Sequence, residues 1–237
     1  MKIRSWLGYS GKGEVFVNEK KGIFIVAKGF GDGLGTGEVE KKVIGFIREF
    51  LEKEAGDLEA TLPFILRHYY SLAGNVIYNS ILNANKKLFL ENKSKPLQER
   101  MGCSVLVGLA DQDIVAVANA GSTSLWLMRD QQIKEISTPK TYSRMVHPFE
   151  GDCVSGKDAP LIALGMNEEL EPEISEYKIY HGDAVWMQTT GFKENIRSQI
   201  QSSITLQPTV VDSVKNTQSL FNSLPYSIEG AGALILF

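Results

Sequence analysis

The stretch best suited to chemistry is GIFIVAKGFGDGLGTGE, which runs from Gly22 to Glu38. It reads as a buried strand, a glycine-rich turn and the start of a helix, and enzymes often place metal ligands or phosphate-binding amides at such a junction. Asp32 lies in the turn, where a carboxylate could bind a cation, but the residue at the end of the strand is Lys28. The stretch therefore combines the backbone of an ion or phosphate site with a positively charged side chain.

Other patterns indicate chemistry less strongly. No window of the glycine run fits Gly-x-Gly-x-x-Gly, and no Gly-Lys-Ser or Gly-Lys-Thr follows it, which disfavours a nucleotide site. Ser122 has no histidine placed beside it by any motif, so a polar turn residue is favoured over a nucleophile. The three histidines and two cysteines match no zinc spacing. Structural roles are expected for His68, which lies in a helical pattern, and for Cys103, which lies in an apolar run.

The composition argues against two kinds of partner. The chain has 237 residues, of which 43% are hydrophobic, and a formal net charge of -3. Its basic residues are dispersed, so we expect no binding of nucleic acid or of an anionic membrane. There is no run of about 18 apolar residues and no apolar run after a basic start, so neither a membrane span nor a signal peptide is expected. The cytoplasm is the expected compartment.

In the first two thirds of the chain, the spacing of the apolar residues predicts strands, then helices, then strands again. "EVFV" and "IFIVA" are predicted strands, followed by amphipathic helices over Glu38–Lys53 and from about Asp57 to Leu90, with Pro63 in the first turn of the second. A period of two then predicts an antiparallel meander of "CSVLVGLA", "DIVAVANAG", "TSLWLMRD" and "IKEIS". Residues 138–160 lack periodicity, which predicts a long surface connection.

The last third again mixes strands and helices. Strands are predicted around the turn at Gly182 and Asp183, helices near Phe192–Ile204 and Thr209–Leu224, and a core strand in "AGALILF". Antiparallel strands in blocks separate from the helices predict an α+β fold with helices outside the sheets. No linker divides the chain, so a single domain over residues 1–237 is expected.

Several strings, in this order, resemble the metal-dependent type 2C serine/threonine protein phosphatases. "GIFIVAKGFGDGLGTGE" is similar to that family's Val-Ala-Asp-Gly strand and loop, with Gly-Glu opening a helix. "MGCSVLVGLADQDIVAVANAGSTSLWLMRDQQIKEIS" resembles its Gly-Thr-Thr strand, its Ala-Asn-x-Gly-Asp-Ser-Arg turn and the hairpin after it. "LIALG", "EPEISEYKIYHGDAVWMQTTGFKENI" and "EGAGALILF" resemble the later strands, including a structural Gly-Asp turn at Asp183 and the Ser-Asp-Gly-Leu loop. The resemblance implies a four-layer α-β-β-α sandwich of two antiparallel sheets flanked by helices.

The family's reaction depends on aspartates that hold two Mg²⁺ or Mn²⁺ ions, which activate water and neutralise phosphoryl charge. The resemblance puts Lys28 at the aspartate of Val-Ala-Asp-Gly, Ser122 at that of Gly-Asp-Ser-Arg and Thr190 at that of Ser-Asp-Gly-Leu. Glu229 falls on the first aspartate of the closing pair and keeps its charge. The family's early Asn-Glu-Asp motif falls near Gly11 to Gly13, where no acid stands.

Lys28 changes the electrostatics expected of such a site. Unit charges about 4 Å apart interact by roughly 4 kcal/mol at an effective dielectric constant of about 20, and each metal ion carries two charges. The ammonium is therefore expected to exclude a metal pair and to neutralise Glu229 or Asp32 instead. At most one ion is expected, held by Glu229 and Asp32.

These observations predict a catalytically impaired pseudophosphatase that acts as a protein-binding or regulatory module without a cofactor. A protein partner, with a phosphoprotein as one candidate, is expected to bind in the cleft or through Arg144 and His147, since a guanidinium binds phosphoryl groups bidentately. Two alternatives stay open: a nucleotide-binding regulator, and an active serine/threonine phosphatase with Mg²⁺ or Mn²⁺ held by altered acids. Those acids would be Glu229, Asp32, Asp152 and Asp158.

Overall fold

The computed structural model describes residues 3–31, 37–54, 66–130, 132–146, 159–192, 198–200, 202, 218–219, 221–222 and 230–237. The strands within these ranges are β1 (Ser5–Ser10), β2 (Glu14–Asn18), β3 (Ile23–Gly31), β4 (Met101–Asp111), β5 (Ile114–Ala120), β6 (Thr123–Arg129), β7 (Gln132–Ser137), β8 (Glu173–Lys178), β9 (Ala184–Thr189) and β10 (Ala231–Leu236). The helices are α1 (Glu38–Glu54), α2 (Leu72–Lys93) and α3 (Tyr142–Val146), with a 3-10 turn at Leu97–Glu99. Within this part of the chain, no helix has the length and apolar character that a membrane span requires.

The strands form two five-stranded antiparallel sheets that pack face to face. Sheet A has the order β1-β10-β9-β6-β7, and sheet B has the order β2-β3-β4-β5-β8. Successive side chains of a strand point to opposite faces, and β3 is apolar on both. Phe24 and Val26 lie in the cluster between the sheets, with Met187 of sheet A. Ile23 and Ile25 point the other way, towards the helices.

Helices cover both outer faces. α1 and α2 pack on sheet B through apolar stripes that include Ile47 and Ile77. On sheet A, Ile200 and Phe221 are helical residues within the two helices predicted for the last third, and they pack against Trp186. The four-layer α-β-β-α order predicted from the sequence is therefore confirmed.

The predicted meander is divided between the two sheets. β4 and β5 pair in sheet B, whereas β6 and β7 pair in sheet A, because the chain crosses between the sheets at Gly121. This glycine has a φ of 128°, and a Cβ there would lie 2.4 Å from Ser104 Oγ, so the crossing requires a residue without a side chain. The buried amide of Asn119 stabilises it by donating to Thr123 O and to Ser137 Oγ, both at 2.9 Å.

The second helix begins later than the apolar spacing predicts. Residues 66–71 form a turn, and α2 starts at Leu72. The Ser71 side chain caps the helix by accepting a hydrogen bond from Gly74 N at 3.1 Å, and serine at this position competes effectively with helix extension. Asn75 fixes the preceding turn, since its Oδ1 accepts from the backbone N–H of residue 67 at 2.7 Å. The prediction of helix over residues 66–71 was therefore wrong.

Other local predictions also differ from the structure. β1 pairs with β10 but was not predicted, because an edge strand with one buried side chain leaves little pattern. α3 lies within the connection predicted over residues 138–160, and Thr141 pairs with Pro160 in an isolated bridge. His68 is exposed in the turn before α2 rather than helical. Pro63 lies outside the described residues.

Candidate functional site

A cleft lies where the β1–β2 turn, the end of β3 and the start of α1 meet. Its cavity has a volume of about 380 Å³ and is lined by residues 10–14, 28–31 and 37–41. Ligand pockets in proteins commonly span about 300–1,000 Å³. Both described ends of the glycine-rich stretch therefore border a space large enough for a small group or a side chain of another protein.

Glycines allow the β1–β2 turn to approach the other strands closely. Gly11 N donates to Gly230 O at 3.0 Å, just before β10. A Cβ added to Gly13 would lie 2.9 Å from Ala27 O. The position at which the resemblance places an acidic motif therefore does lie at the cleft. Gly11 and Gly13 have no side chain there, the residue between them is Lys12, and a side chain could be added at Gly13 only if Ala27 and Ala231 moved.

Lys28 reaches from one sheet to the other. It stands on β3 in alternation with Phe24 and Val26, so its side chain points between the sheets. Its Nζ donates to Thr190 O at 3.1 Å and to Thr190 Oγ1 at 3.4 Å. Thr190 directly follows β9 of sheet A. A partly buried ammonium therefore joins two positions at which the resemblance would place metal-binding aspartates.

Ser122 lies beside the cross-strand neighbour of Lys28. That neighbour is Ser104 of β4. Ser104 Oγ accepts a hydrogen bond from Ser122 N at 3.2 Å and lies 3.1 Å from Ser122 Oγ. Both serines are buried, and the hydrogen bonds of Ser122 within the described residues involve no general base. This geometry suits a polar turn residue and not a nucleophile.

Glu40 is a cleft residue that the sequence analysis did not identify. It is 6% exposed, its Oε1 accepts from Gly29 N at 2.8 Å, and its Oε2 has no hydrogen-bond partner among the described residues. The carboxylate lies in the first turn of α1, where the helix dipole favours negative charge. A signal was present, because Glu40 falls at helical spacing with Val43, Ile44 and Ile47 on the buried stripe of α1.

Cys103 lies near Glu40 and is fully buried. Burial, reinforced by the negative charge of Glu40, raises the pKa of its thiol well above the ordinary value. A thiol of this kind is unreactive, so the structure supports the structural role expected for Cys103.

The described side chains of the cleft do not suit a pair of divalent cations. Among the described residues, the ionisable groups that line the cavity balance in charge: Lys12, Lys28 and Lys41 stand with Glu14, Glu38 and Glu40. Hard divalent ions require several oxygen ligands, most often carboxylates. Within the described ranges, no three His, Cys, Asp or Glu residues are grouped so that they could hold a metal ion.

The structure brings together some of the predicted site residues. Lys28 and Thr190 are in contact, and Ser122 reaches the neighbour of Lys28. Arg144 lies in α3, where its Nη1 is 3.4 Å from Glu135 Oε2, and it does not line the cavity. The predicted residues that lie outside the described part of the chain are Asp32, His147, Asp152, Asp158 and Glu229.

The chain resembles known proteins in structure but not in sequence. No protein-family model matches the chain, and no curated protein matches it in sequence. The catalytic domain of the serine/threonine protein phosphatase PstP, in complex with two manganese ions, superposes with a TM-score of 0.71 at 15% identity, covering 99% of this chain and 98% of that one.

Two other solved structures are similar over the whole chain. PppA, a regulatory component of T6SS in Pseudomonas aeruginosa, gives a TM-score of 0.70 at 11% identity, covering 100% of this chain and 99% of PppA. The phosphatase MsPP from Mycobacterium smegmatis, in complex with cacodylate, gives 0.69 at 13% identity, covering 100% of both chains. These matches show that the chain has the type 2C phosphatase fold.

Proposed function

We propose that this protein uses the type 2C phosphatase fold as a binding or regulatory module and does not catalyse the two-metal reaction. The observation that supports this proposal is the hydrogen bonding of Lys28 Nζ to Thr190. The ammonium belongs to a residue within β3, and it donates to two oxygens of the threonine that follows β9. A fold alone does not imply an activity, so the proposal depends on this site.

Charge is the physical basis of the proposal. Three positions that would carry carboxylates in the phosphatases are occupied by Lys28, Ser122 and Thr190. The local charge therefore changes from three negative charges to one positive charge. At about 4 Å and an effective dielectric constant of about 20, each pair of unit charges contributes roughly 4 kcal/mol. A doubly charged ion loses its attraction to the carboxylates and meets repulsion from the ammonium.

The partner that we propose for the cleft is a protein, with a phosphorylated serine or threonine as the group that enters. Lysine side chains stand at each wall of the cavity, on the β1–β2 turn, β3 and α1: Lys12, Lys28 and Lys41. They share the cavity with Glu14, Glu38 and Glu40, so a phosphate would have to be bound by the ammonium groups on the sides away from these carboxylates. Ammonium groups bind phosphate as point charges without a metal. The description of PppA as a regulatory component is compatible with such a role.

Metal titration tests the loss of the two-metal reaction. We expect calorimetry to show no tight Mn²⁺ site, and we expect no hydrolysis of p-nitrophenyl phosphate with excess Mn²⁺. The Lys28→Asp variant is also expected to be inactive, because Ser122 and Thr190 still supply no charge. Mn²⁺-dependent hydrolysis that is lost in Glu229→Ala would establish the active phosphatase with altered acids. Thermal stabilisation by millimolar ATP would instead favour the nucleotide-binding regulator.

Peptide binding tests the partner. We expect a phosphoserine peptide to bind in the presence of EDTA more tightly than its unphosphorylated form, and Lys41→Ala to weaken that binding. Lys86→Ala is the matched control, since Lys86 is an exposed lysine of α2 that does not line the cavity. Equal binding of both peptides, or equal effects of both variants, would contradict a phosphoprotein ligand.

A further inference from the structure

We infer that the phosphorylated segment of the partner binds as an added strand along the free edge of β1, with its phosphoserine or phosphothreonine in the cleft. This inference rests on the proposed function, and it assigns the path of the partner's chain on one side of the phosphate. The residues that follow the phosphorylated one would run antiparallel to β1 and extend sheet A.

The backbone groups at the free edge of β1 follow from its pairing. β1 lies at the end of sheet A and pairs with β10. Gly11 N donates to Gly230 O at 3.0 Å, and these two residues continue the register of the pair. Hydrogen-bonded positions alternate along an antiparallel pair, so the N–H and C=O groups of Trp6, Gly8 and Ser10 point away from β10. Within the described part of the chain, no strand pairs with them.

These outward positions are open to solvent. Gly8 and Ser10 are exposed, and Trp6 is 37% exposed. The Trp6 ring lies along the strand, since a Cβ on Gly8 would be 2.9 Å from its Cζ3 atom. Aromatic and β-branched side chains pack well across neighbouring strands. An added strand would therefore gain both backbone hydrogen bonds and an aromatic contact at this edge.

β1 lacks the charges that protect the other edges of the two sheets. Edge strands commonly carry charged side chains, which disfavour pairing with another chain. Such residues are present on the other three edge strands of the described sheets: Glu14 on β2, Lys134 and Glu135 on β7, and Glu173, Glu176 and Lys178 on β8. β1, with the sequence SWLGYS, carries none. Of these four edges, β1 is therefore the one best suited to pairing.

β1 ends at the cleft. Its last residue, Ser10, lines the cavity together with Gly11 and Lys12. Strands rise about 3.3 Å per residue, so Trp6 lies about 13 Å back along the strand from Ser10. Because the other pairs of sheet A are antiparallel, an antiparallel segment continues the pattern and runs away from the cleft. About five residues after the phosphorylated one would therefore reach all the outward positions.

A segment of another protein suits this edge better than a second copy of the chain. The register in which Trp6, Gly8 and Ser10 all pair with the same residues of a second copy is centred on Gly8. It would bring Arg4 of each copy opposite Lys12 of the other, and like charges directly opposite are destabilising. A partner segment that ends in a carboxylate would instead meet the exposed Arg4. The expected partner therefore has a phosphorylated residue, a short run of β-branched residues without proline, and an acid.

Peptides with methylated backbone amides test strand pairing on the unmodified chain, in the presence of EDTA. The parent peptide has phosphoserine, then threonine and valine in alternation over about five residues, then glutamate. A strand donates to one neighbour from every second residue. Methylation of one alternate set of amides should therefore weaken binding about tenfold, and methylation of the other set less than about threefold. Equal effects of the two sets, or no effect of either, would overturn the inference.

Two variants at Ser10 give a matched test on the protein. Ser10→Pro removes the outward N–H, and proline is tolerated on an edge strand where that N–H faces solvent. Ser10→Ala removes the hydroxyl and keeps the N–H. We expect Ser10→Pro to weaken binding of the parent peptide about fivefold and Ser10→Ala less than about twofold. Equal binding by a folded Ser10→Pro variant and the unmodified chain would overturn the inference, and circular dichroism with thermal unfolding establishes the folding. If Ser10→Pro does not fold, the methylated peptides decide.

Shortened and unphosphorylated peptides separate this inference from the proposed function. A peptide that ends after the phosphoserine should bind about tenfold more weakly than the parent. Equal binding of the two would overturn strand pairing and leave phosphate binding intact. If the parent with serine in place of phosphoserine bound equally well, and one methylated set alone weakened it, strand pairing would stand and phosphate recognition would fail. Sedimentation of a dimer that Ser10→Pro dissociates would place a second copy at β1 and overturn the inference.

Discussion

The two ends of strand β9 differ in the charge of the side chain that is hydrogen-bonded there: it is an anion before the strand and a cation after it. Asp183 immediately precedes the strand and is 2% exposed. Its Oδ1 accepts from Arg129 Nε at 2.9 Å, and its Oδ2 accepts from Arg129 Nη2 at 2.6 Å and from Tyr180 N at 2.8 Å. Thr190 immediately follows the strand, and its two oxygens accept from Lys28. A buried anion accepts hydrogen bonds at one end, and at the other end a threonine accepts hydrogen bonds from a cation.

This difference separates the acids that build the fold from those that would perform chemistry. In the phosphatases that the sequence resembles, aspartates stand at both positions, but only the one at Thr190 would hold a metal. The structural acid, Asp183, is present here, and its hydrogen bonds to Arg129 raise the pKa of that guanidinium further. A protein that requires the scaffold but not the reaction needs the first acid and not the second.

The largest effect that we predict comes from placing aspartates at the three positions where the resemblance puts metal-binding acids. The triple variant Lys28→Asp, Ser122→Asp, Thr190→Asp changes the local charge by four negative units. We expect Mn²⁺ affinity to rise about 1,000-fold, which corresponds to about 4 kcal/mol. Calorimetric titration measures it, with the single Lys28→Asp variant as the control. Equal affinities of the two variants would show that charge at these positions does not decide metal binding.

A smaller but substantial effect, on the free energy of unfolding, is expected at Asp183, which precedes β9. Asp183→Asn leaves Arg129 without its anionic partner, and breaking a largely buried pair costs about 2–3 kcal/mol when one partner is a third exposed. Urea denaturation gives the free energy of unfolding. Asp113→Asn is the control, because Asp113 and Lys178 form an exposed pair at 3.2 Å, and we expect no change of midpoint there. A comparable loss in both variants would contradict the role assigned to Asp183.

The smallest effect is expected from Lys28→Met, which keeps the length of the side chain and removes its charge. The hydrogen bonds to Thr190 are lost, but the ammonium no longer has to be partly desolvated, so we expect a decrease of about 1 kcal/mol in the free energy of unfolding. Lys41→Met, at an exposed position on the cleft, is the control. A loss as large as that of Asp183→Asn would mean that the ammonium is a main structural link between the sheets.

Much of the fold can be predicted because the spacing of apolar residues along a short stretch of chain indicates which of its side chains are buried. The run "IFIVA" is apolar on both faces, as a strand between helices and a second sheet must be, and Asp183 follows a recognisable Gly-Asp turn. The crossing at Gly121 and the helix start at Leu72 were not predicted. Both involve contacts with distant residues: a Cβ at Gly121 would meet Ser104, and Ser71 N, just before the helix, donates to Glu176 Oε1 at 3.0 Å.

For the candidate site, the sequence alone established the types of side chain: a lysine in β3, and hydroxyl residues at the other two positions. The strand was expected to end at Lys28 but continues to Gly31. It could not establish their contacts, because Lys28 and Thr190 are 162 residues apart and meet only where sheet A packs on sheet B. Glu40 shows the same division, since its charge is visible in the sequence but its burial against Gly29 is not. Chemical identity is a local property of the chain, whereas distance, burial and hydrogen-bond partners arise only when the two sheets and their helices pack together.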